Sequence, residues 1–405
     1  MKEKNKRILF VLFTIVIGVF LVIGTIYIVK YIRIKTAKIE VTLVDDLTIN
    51  FAESKKVSDF IVSINGEILD DYIIDATTLG TKNITFKFIN DDHIKVSYSY
   101  NIEVVDQVAP VIWLSGSYTI TKGNDVDLVS KILCGDNEDS HPNCYIEGEY
   151  DYNKVGVYPL TFKAEDKSGN ISEQKFNLNV IEPKKNNTTI NTTPSYTYFE
   201  DVVNTYKTDK TRIGIDVSSW QGEIDFDALQ NAGVEFIIIR VGGTRGRDGE
   251  YFIDNNFEYN ITEANKRNID VGIYFYSYAN SVEKAKEEAE WVIDKIKNYK
   301  VTLPVAYDWE NWSTFNDYNL SFFGLTNMAD TFLDTLKDAG YKGLLYSSKN
   351  YLERLWMPSK YDTWIAHYVD KTNYQGKFTY WQICNDGKVE GIKGAVDIDI
   401  MYLEG

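Results

Sequence analysis

Histidine is nearly missing from this sequence of 405 residues: only His93, His141 and His367 are present. An imidazole-based zinc centre draws two or three histidines into one pocket, so no metal site is expected, and no cofactor. Basic residues are short as well. Forty-three Lys and Arg stand against 59 Asp and Glu, a net charge of -16. That balance excludes the basic footprint of a nucleic-acid-binding protein. Cysteine is limited to three. Cys134 and Cys144 bracket the polar loop CGDNEDSHPNC, and the sequence leaves open whether they are bridged or are two free thiols. Cys384 has no partner by count.

What the chain has in quantity is aromatic side chain, 14% of the residues, including 29 Tyr. Rings beside carboxylates suit a sugar-binding surface. Tyr also fills strands through its high β-propensity, and composition alone does not separate the two. The length fits about two to four domains.

Residues Ile8 to Val29 form an unbroken apolar run. As a helix it spans about 33 Å, enough to cross a bilayer's hydrocarbon core. Lysines and arginines flank both ends, and no A-x-A cleavage site follows. The expectation is an uncleaved single-pass signal anchor at residues 8–29, with a cleaved signal sequence as the competing reading. A stub at 1–7 lies in the cytoplasm and everything after the span lies outside.

From about Ala37 to Ile181 the pattern changes to short alternating strands. Leu79–Asp106 reads LGTKNITFKFINDDHIKVSYSYNIEVVD, and Val155–Glu182 reads VGVYPLTFKAEDKSGNISEQKFNLNVIE. Each carries a Gly, a strand with T-F-K, a polar turn and a closing strand ending V-[VI]-[DE]. This is a domain-scale repeat. It predicts two small all-β sandwiches at 37–106 and 107–182. The second, with DQVAPVIWLSG and EDKSGN, resembles bacterial Ig-like surface modules, which act mostly as spacers.

A polar linker is expected at 183–206, where EPKKNNTTINTTPS has too few apolar residues to fold. Beyond it, to residue 405, strands and helices alternate. Strand-like runs are Ile213–Val217, Phe236–Val241, Val271–Tyr276, Pro304–Tyr307, Gly343–Ser347, Thr363–His367, Thr379–Ile383 and Ala395–Ile398. Helical patterns lie between the early ones. The pattern predicts a compact α/β barrel, TIM-like but irregular, with fewer helices toward the end, that folds on its own.

In such a barrel the C-terminal strand ends form the working face. Asp216 lies near the end of the first strand, Asp308 and Glu310 end the fourth, and Asp397 and Asp399 lie on the last. Separate segments thus deliver acids to one mouth, as glycoside hydrolysis requires. Side-chain alternation places Asp308 and Glu310 on one side and Trp309 on the other. Their repulsion raises one pKa, which suits Glu310 as a protonated acid.

The segments GIDVSSWQGEIDF (Gly214–Phe226), FIIIRVGG (Phe236–Gly243), VGIYFYSYA (Val271–Ala279), PVAYDWE (Pro304–Glu310), WIAHY, YWQI (Tyr380–Ile383) and GIKGAVDIDIM are similar, in order, to motifs of the family 25 lysozymes. The resemblance implies an N-acetylmuramidase that cuts peptidoglycan between N-acetylmuramic acid and N-acetylglucosamine. It places the catalytic acid on Glu310, the assisting carboxylate on Asp308 and supporting carboxylates on Asp216 and Asp397. Tyr274, Tyr276, Tyr346, Trp364, Tyr368 and Trp381 are candidate sugar platforms, and Gln382 a candidate partner for a hydroxyl or acetamido group. The chain departs from the family pattern where Phe275 replaces a frequent His, Asp399 a common Asn and Met401 a common Phe.

The expected partners are peptidoglycan glycan strands and, through the N-terminal helix, the cytoplasmic membrane; a monomer is expected. Two rival readings are a chitinase-like glycosidase and a non-catalytic wall-binding protein on a hydrolase scaffold. The chitinase reading is weakened because Pro304–Asp308 lacks the earlier acids of a D-x-x-D-x-D-x-E signature. A Cys–His hydrolase using Cys384 and His367 has no triad spacing to support it.

Overall fold

The computed structural model describes residues 2–183 and 196–403. It divides into two compact units, Met1–Gln107 and Val108–Gly405.

The first unit opens with one helix, Lys2–Thr36. Within Phe13–Thr36 an 18-residue window has a mean hydropathy of 2.4, and none of that window is buried against protein. A membrane anchor and a signal sequence both have this character. The helix already includes the stretch expected as a stub before Ile8. A β-module follows. Its four-stranded sheet runs in the order Thr48–Asn50, Lys95–Val105, Gly80–Asn90, Gly66–Ile68, and Val41–Leu43 pairs with Ile61–Ile64 as a separate ribbon. In the long hairpin Ile84, Phe86 and Phe88 are buried while Thr85 and Lys87 are exposed. The period of two puts one face of the sheet into the core.

A second β-module repeats that plan in the second unit. Its sheet runs Asn143–Glu147, Gly156–Glu165, Ile171–Ile181, Ser117–Thr121, with a ribbon of Val111–Trp113 and Leu133–Gly135. In both modules the hairpin's closing strand pairs in parallel with a short earlier strand. Phe162 of the second T-F-K is as fully buried as Phe86 of the first. Cys134 and Cys144 are joined as a disulfide.

Eight strands then close a barrel: β1 (Thr211–Val217), β2 (Phe236–Thr244), β3 (Asp270–Tyr276), β4 (Val305–Asp308), β5 (Gly343–Ser348), β6 (Asp362–Ala366), β7 (Tyr380–Lys388) and β8 (Val396–Tyr402). Strands β1 to β7 pair in parallel. β8 runs antiparallel to both β7 and β1 and closes the ring. The barrel is therefore not wholly parallel. The chain passes from β7 to β8 through a short turn with no crossover helix, which fixes an antiparallel return. The longer helices are α1 (Phe257–Lys266), α2 (Val282–Ile296) and α3 (Phe322–Asp338), before β3, β4 and β5. Ser281 and Ser321 cap the last two by accepting from Lys284 N and Gly324 N. A Cβ on Gly214 would lie 2.5 Å from Phe236 O, so glycine lets β1 and β2 approach.

The expected linker is shorter than 183–206. Residues 184–195 lie outside the described residues. Thr197–Tyr198 pairs with β7, and the helix Phe199–Tyr206 packs on the barrel with Phe199 and Val202 buried in its core. Apolar positions at helical spacing were masked there by the polar run before them.

Candidate active site

Register builds the site. Tyr276, Asp308, Tyr346 and Trp364 are successive partners across β3, β4, β5 and β6. Asp216 on β1 stands opposite Asp397 on β8. Alternation turns Ala306 into the barrel interior, while Val305 and Tyr307 pack outward with the helices. A cavity of about 200 Å³ opens at this end, and Asp216, Tyr274, Tyr276, Asp308, Glu310, Tyr346, Trp364, Gln382 and Asp397 all line it. Trp309 turns away, fully buried, and donates from Nε1 to Ala279 O at 3.3 Å.

Two of the sequence-predicted platforms stand elsewhere. Trp381 lies on the outer side of β7, where its ring meets Tyr206 edge-on and Nε1 donates to His367 O at 2.8 Å. It is one residue out of phase with Gln382, so alternation sends it to the opposite face. Tyr368 is half exposed and reaches the site only through its hydroxyl, which donates to Gln382 Oε1 at 2.9 Å. Tyr346 OH donates to that same oxygen at 2.9 Å, and Gln382 Nε2 donates to Asp216 Oδ2 at 2.7 Å. Trp364 Nε1 donates to Asp399 Oδ1 at 2.8 Å.

Two lining residues received no role in the sequence reading. Arg240 is one, held by Asp254 (Nη2 to Oδ2, 2.6 Å) and by Ser219 Oγ. The signal was a lone cation in the inward phase of FIIIRV. Trp220 is the other, 85% exposed at the rim in GIDVSSWQG. An indole this bare, beside a polar cavity, is a surface on which a pyranose face can stack.

The electrostatics follow from burial. Desolvation raises the Asp308 carboxyl well above its ordinary value, the Glu310 charge adds to this, and Arg240 opposes it. Glu310 sits at the open end; desolvation of its carboxyl in the cleft raises it, and the Asp397 charge raises it further. Burial raises Asp216, helped by Asp397 and Asp399. Asp397 is pushed up to about 6, chiefly by burial. Carboxyls crowded in this way keep their protons to higher pH than free ones, the direction that acid catalysis requires. Among the described residues, Asp308 Oδ1 is buried with no hydrogen-bond partner. Cys384, by contrast, is a buried thiol pushed up to about 12, which leaves it a poor nucleophile.

Residues 215–392 match the sequence model of Glycosyl hydrolases family 25. The chain is 27% identical over 189 residues to the autolytic lysozyme of Clostridium acetobutylicum, covering 46% of this chain and 54% of that protein. It is 27% identical over 203 residues to lysozyme M1 of Streptomyces globisporus, covering 45% and 65%. The chain thus spans between half and two thirds of the length of these relatives. Among solved structures, a family 25 glycosyl hydrolase from Bacillus anthracis is 28% identical, with 49% of this chain and 93% of that chain covered and a TM-score of 0.42. Four carboxyls, Asp216, Asp308, Glu310 and Asp397, thus converge on one barrel end, inside the segment that matches the family 25 glycosyl hydrolases or just beyond it.

Proposed function

We propose that the chain is a membrane-anchored peptidoglycan hydrolase of the bacterial surface. It cleaves the β-1,4 bond between N-acetylmuramic acid and N-acetylglucosamine, with Glu310 as general acid/base and Asp308 as partner of the substrate's 2-acetamido group. The observation that carries this reading is the pairing of Asp308 Oδ1, buried and unpartnered, with Glu310 at the open end of the same cavity. A buried acceptor of this kind calls for a donor from the ligand, and an acetamido N–H supplies one. As the glycosidic bond breaks, Glu310 gives its proton to the leaving oxygen. The acetamido oxygen closes on the anomeric carbon while Asp308 holds the amide N–H. Glu310 then takes a proton from the water that opens the ring, which restores both groups. Asp216 and Asp397 sustain negative charge beneath the oxocarbenium-like centre.

On this reading the N-terminal helix crosses the membrane with its N-terminus inside. The two β-modules are Ig-like, the barrel is an irregular TIM-like variant, and the protein acts as a monomer outside the cell. Mass spectrometry of fragments released from purified peptidoglycan tests the activity. New reducing ends on muramic acid are expected. Reducing ends on N-acetylglucosamine alone, or cleavage of chitin oligomers in preference to peptidoglycan, overturn it.

A further inference from the structure

The second β-module reaches the catalytic acids through a continuous set of contacts. Glu310 is followed almost at once by the 3-10 helical segment Trp312–Tyr318. Asn316, in the middle of that segment, bonds to the module through its side chain: Cys134 N donates to its Oδ1 at 3.0 Å, and its Nδ2 donates to Ile132 O at 2.9 Å and Val129 O at 3.3 Å. Just beyond, Phe322 N and Phe323 N donate to Asp136 O and Asn137 O. The fit is close, since a Cβ on Gly135 would lie 2.7 Å from the Phe315 ring.

A second route runs through rings. Trp113 of the module lies 5.0 Å from Tyr351, Tyr351 stacks on Trp312 at 4.3 Å, and Trp312 meets Trp309 at 4.9 Å. Trp309 is the residue between Asp308 and Glu310. Leu133 of the module also belongs to the barrel's own core. A flexible spacer has no need of such contacts.

We propose that Asn316 is a positioning residue for Glu310, through which the second β-module becomes a working part of the catalytic unit. The inference rests on the reading of Glu310 as the general acid. Glu310 sits on irregular chain after β4, so the strand ladder does not fix it. Its neighbours Trp309 and Asn311 are tied to Ala279 O and Ser277 O, and its placement depends on these bonds together with what anchors the segment that follows. A displacement of about 1 Å in a catalytic group costs on the order of 100-fold in rate. Asn316 does not line the cavity, so its loss leaves substrate contacts in place.

The test uses the full chain in detergent with a soluble peptidoglycan fragment, comparing wild type, Asn316→Ala, Gly135→Ala and Glu310→Gln. For Asn316→Ala, kcat is expected to fall roughly 10- to 100-fold with KM within about twofold. A Glu310 carboxyl released toward water loses its desolvation, so the limb of the kcat profile set by its deprotonation moves to lower pH. The groups facing it, Asp308, Asp397, Tyr276, Tyr346, Tyr351 and Tyr368, are unchanged in both variants. Gly135→Ala adds one methyl group at the interface, is read by the same criteria and serves where Asn316→Ala does not fold. A folded variant with wild-type kcat and pH profile overturns the proposal, as does a fall in kcat without movement of that limb. Full activity in Glu310→Gln brings down the underlying reading instead.

Discussion

Gln382 ties Asp216 to the aromatic wall of the site: its amide nitrogen donates to Asp216 Oδ2 at 2.7 Å while its oxygen accepts from Tyr346 and Tyr368. One side chain thus fixes a buried carboxyl and two rings. Gln382→Leu leaves a carboxyl oxygen and two hydroxyls without this partner. A loss of about 1–3 kcal/mol in stability is expected, read by urea unfolding, since each buried polar group left unpaired carries a desolvation cost. Turnover on peptidoglycan should fall alongside. An unchanged midpoint and unchanged turnover would show that the network is dispensable.

The acids at the mouth predict a dependence of stability on pH. Burial raises Asp397 to about 6, raises Asp216 and Asp399 as well, and raises Glu288 behind the barrel wall to about 8. Carboxyls with raised values bind more protons in the folded than in the unfolded state. Their contribution is therefore fully present below the ordinary carboxyl range and is lost as pH rises through the folded values. Melting temperature should fall as pH rises from about 5 to 8, the opposite of a protein held by ionised acids. Asp399→Asn keeps an acceptor for Trp364 Nε1 and removes one charge from the cluster. It should flatten that slope and raise the melting temperature at pH 7.5 by several degrees, about 1 kcal/mol. Thermal scans at five pH values check both statements.

Glu310→Gln keeps the shape of the side chain and removes its transferable proton. Activity should drop ~100- to 10,000-fold with circular dichroism unchanged. Asp308→Asn should also cut turnover, because the acetamido group loses its charged acceptor. A well-folded Glu310→Gln protein with near wild-type release of muropeptides would falsify the assignment and direct attention to Asp216 and Asp397.

The inward face of the barrel was legible because strand side chains alternate. Once Asp308 and Glu310 were placed on one side, Tyr276, Tyr346 and Trp364 followed from the strand ends, and all reach the cavity. Trp381 failed for want of that same rule, since its neighbour Gln382 takes the inward phase. Arg240 and Trp220 were present in the motifs but carried no role, because a lone cation or indole has no sequence neighbour that reveals a cavity. The contact between the second β-module and the segment after Glu310 was not legible at all. Asn316 and Cys134 are 182 positions apart, and their bond depends on tertiary packing that no local pattern encodes.

The N-terminal helix predicts topology. Protease added to intact protoplasts should remove the mass beyond Thr36 while cytoplasmic markers survive. A barrel that stays protected alongside those markers would reverse the assigned orientation.

The last expectation concerns where the catalytic unit begins. A fragment starting at residue 207 loses Phe199 and Val202, each 2% exposed in the barrel core, together with the short strand that pairs with β7. Burying two such side chains stabilises by about 3–6 kcal/mol, an upper figure because the unfolded chain already covers some apolar surface. A fragment starting at 196 keeps them but uncovers the rings of Phe315 and Phe322 that approach Gly135, and it leaves Asn316 without its partners. A fragment starting at 108 retains all of these contacts and forms one compact unit. The three should therefore melt in the order 207, 196, 108, with turnover per folded molecule highest in the longest. Differential scanning calorimetry with a parallel muropeptide-release assay measures both. Equal melting and equal turnover for the fragments from 196 and 108 would show that the barrel stands alone.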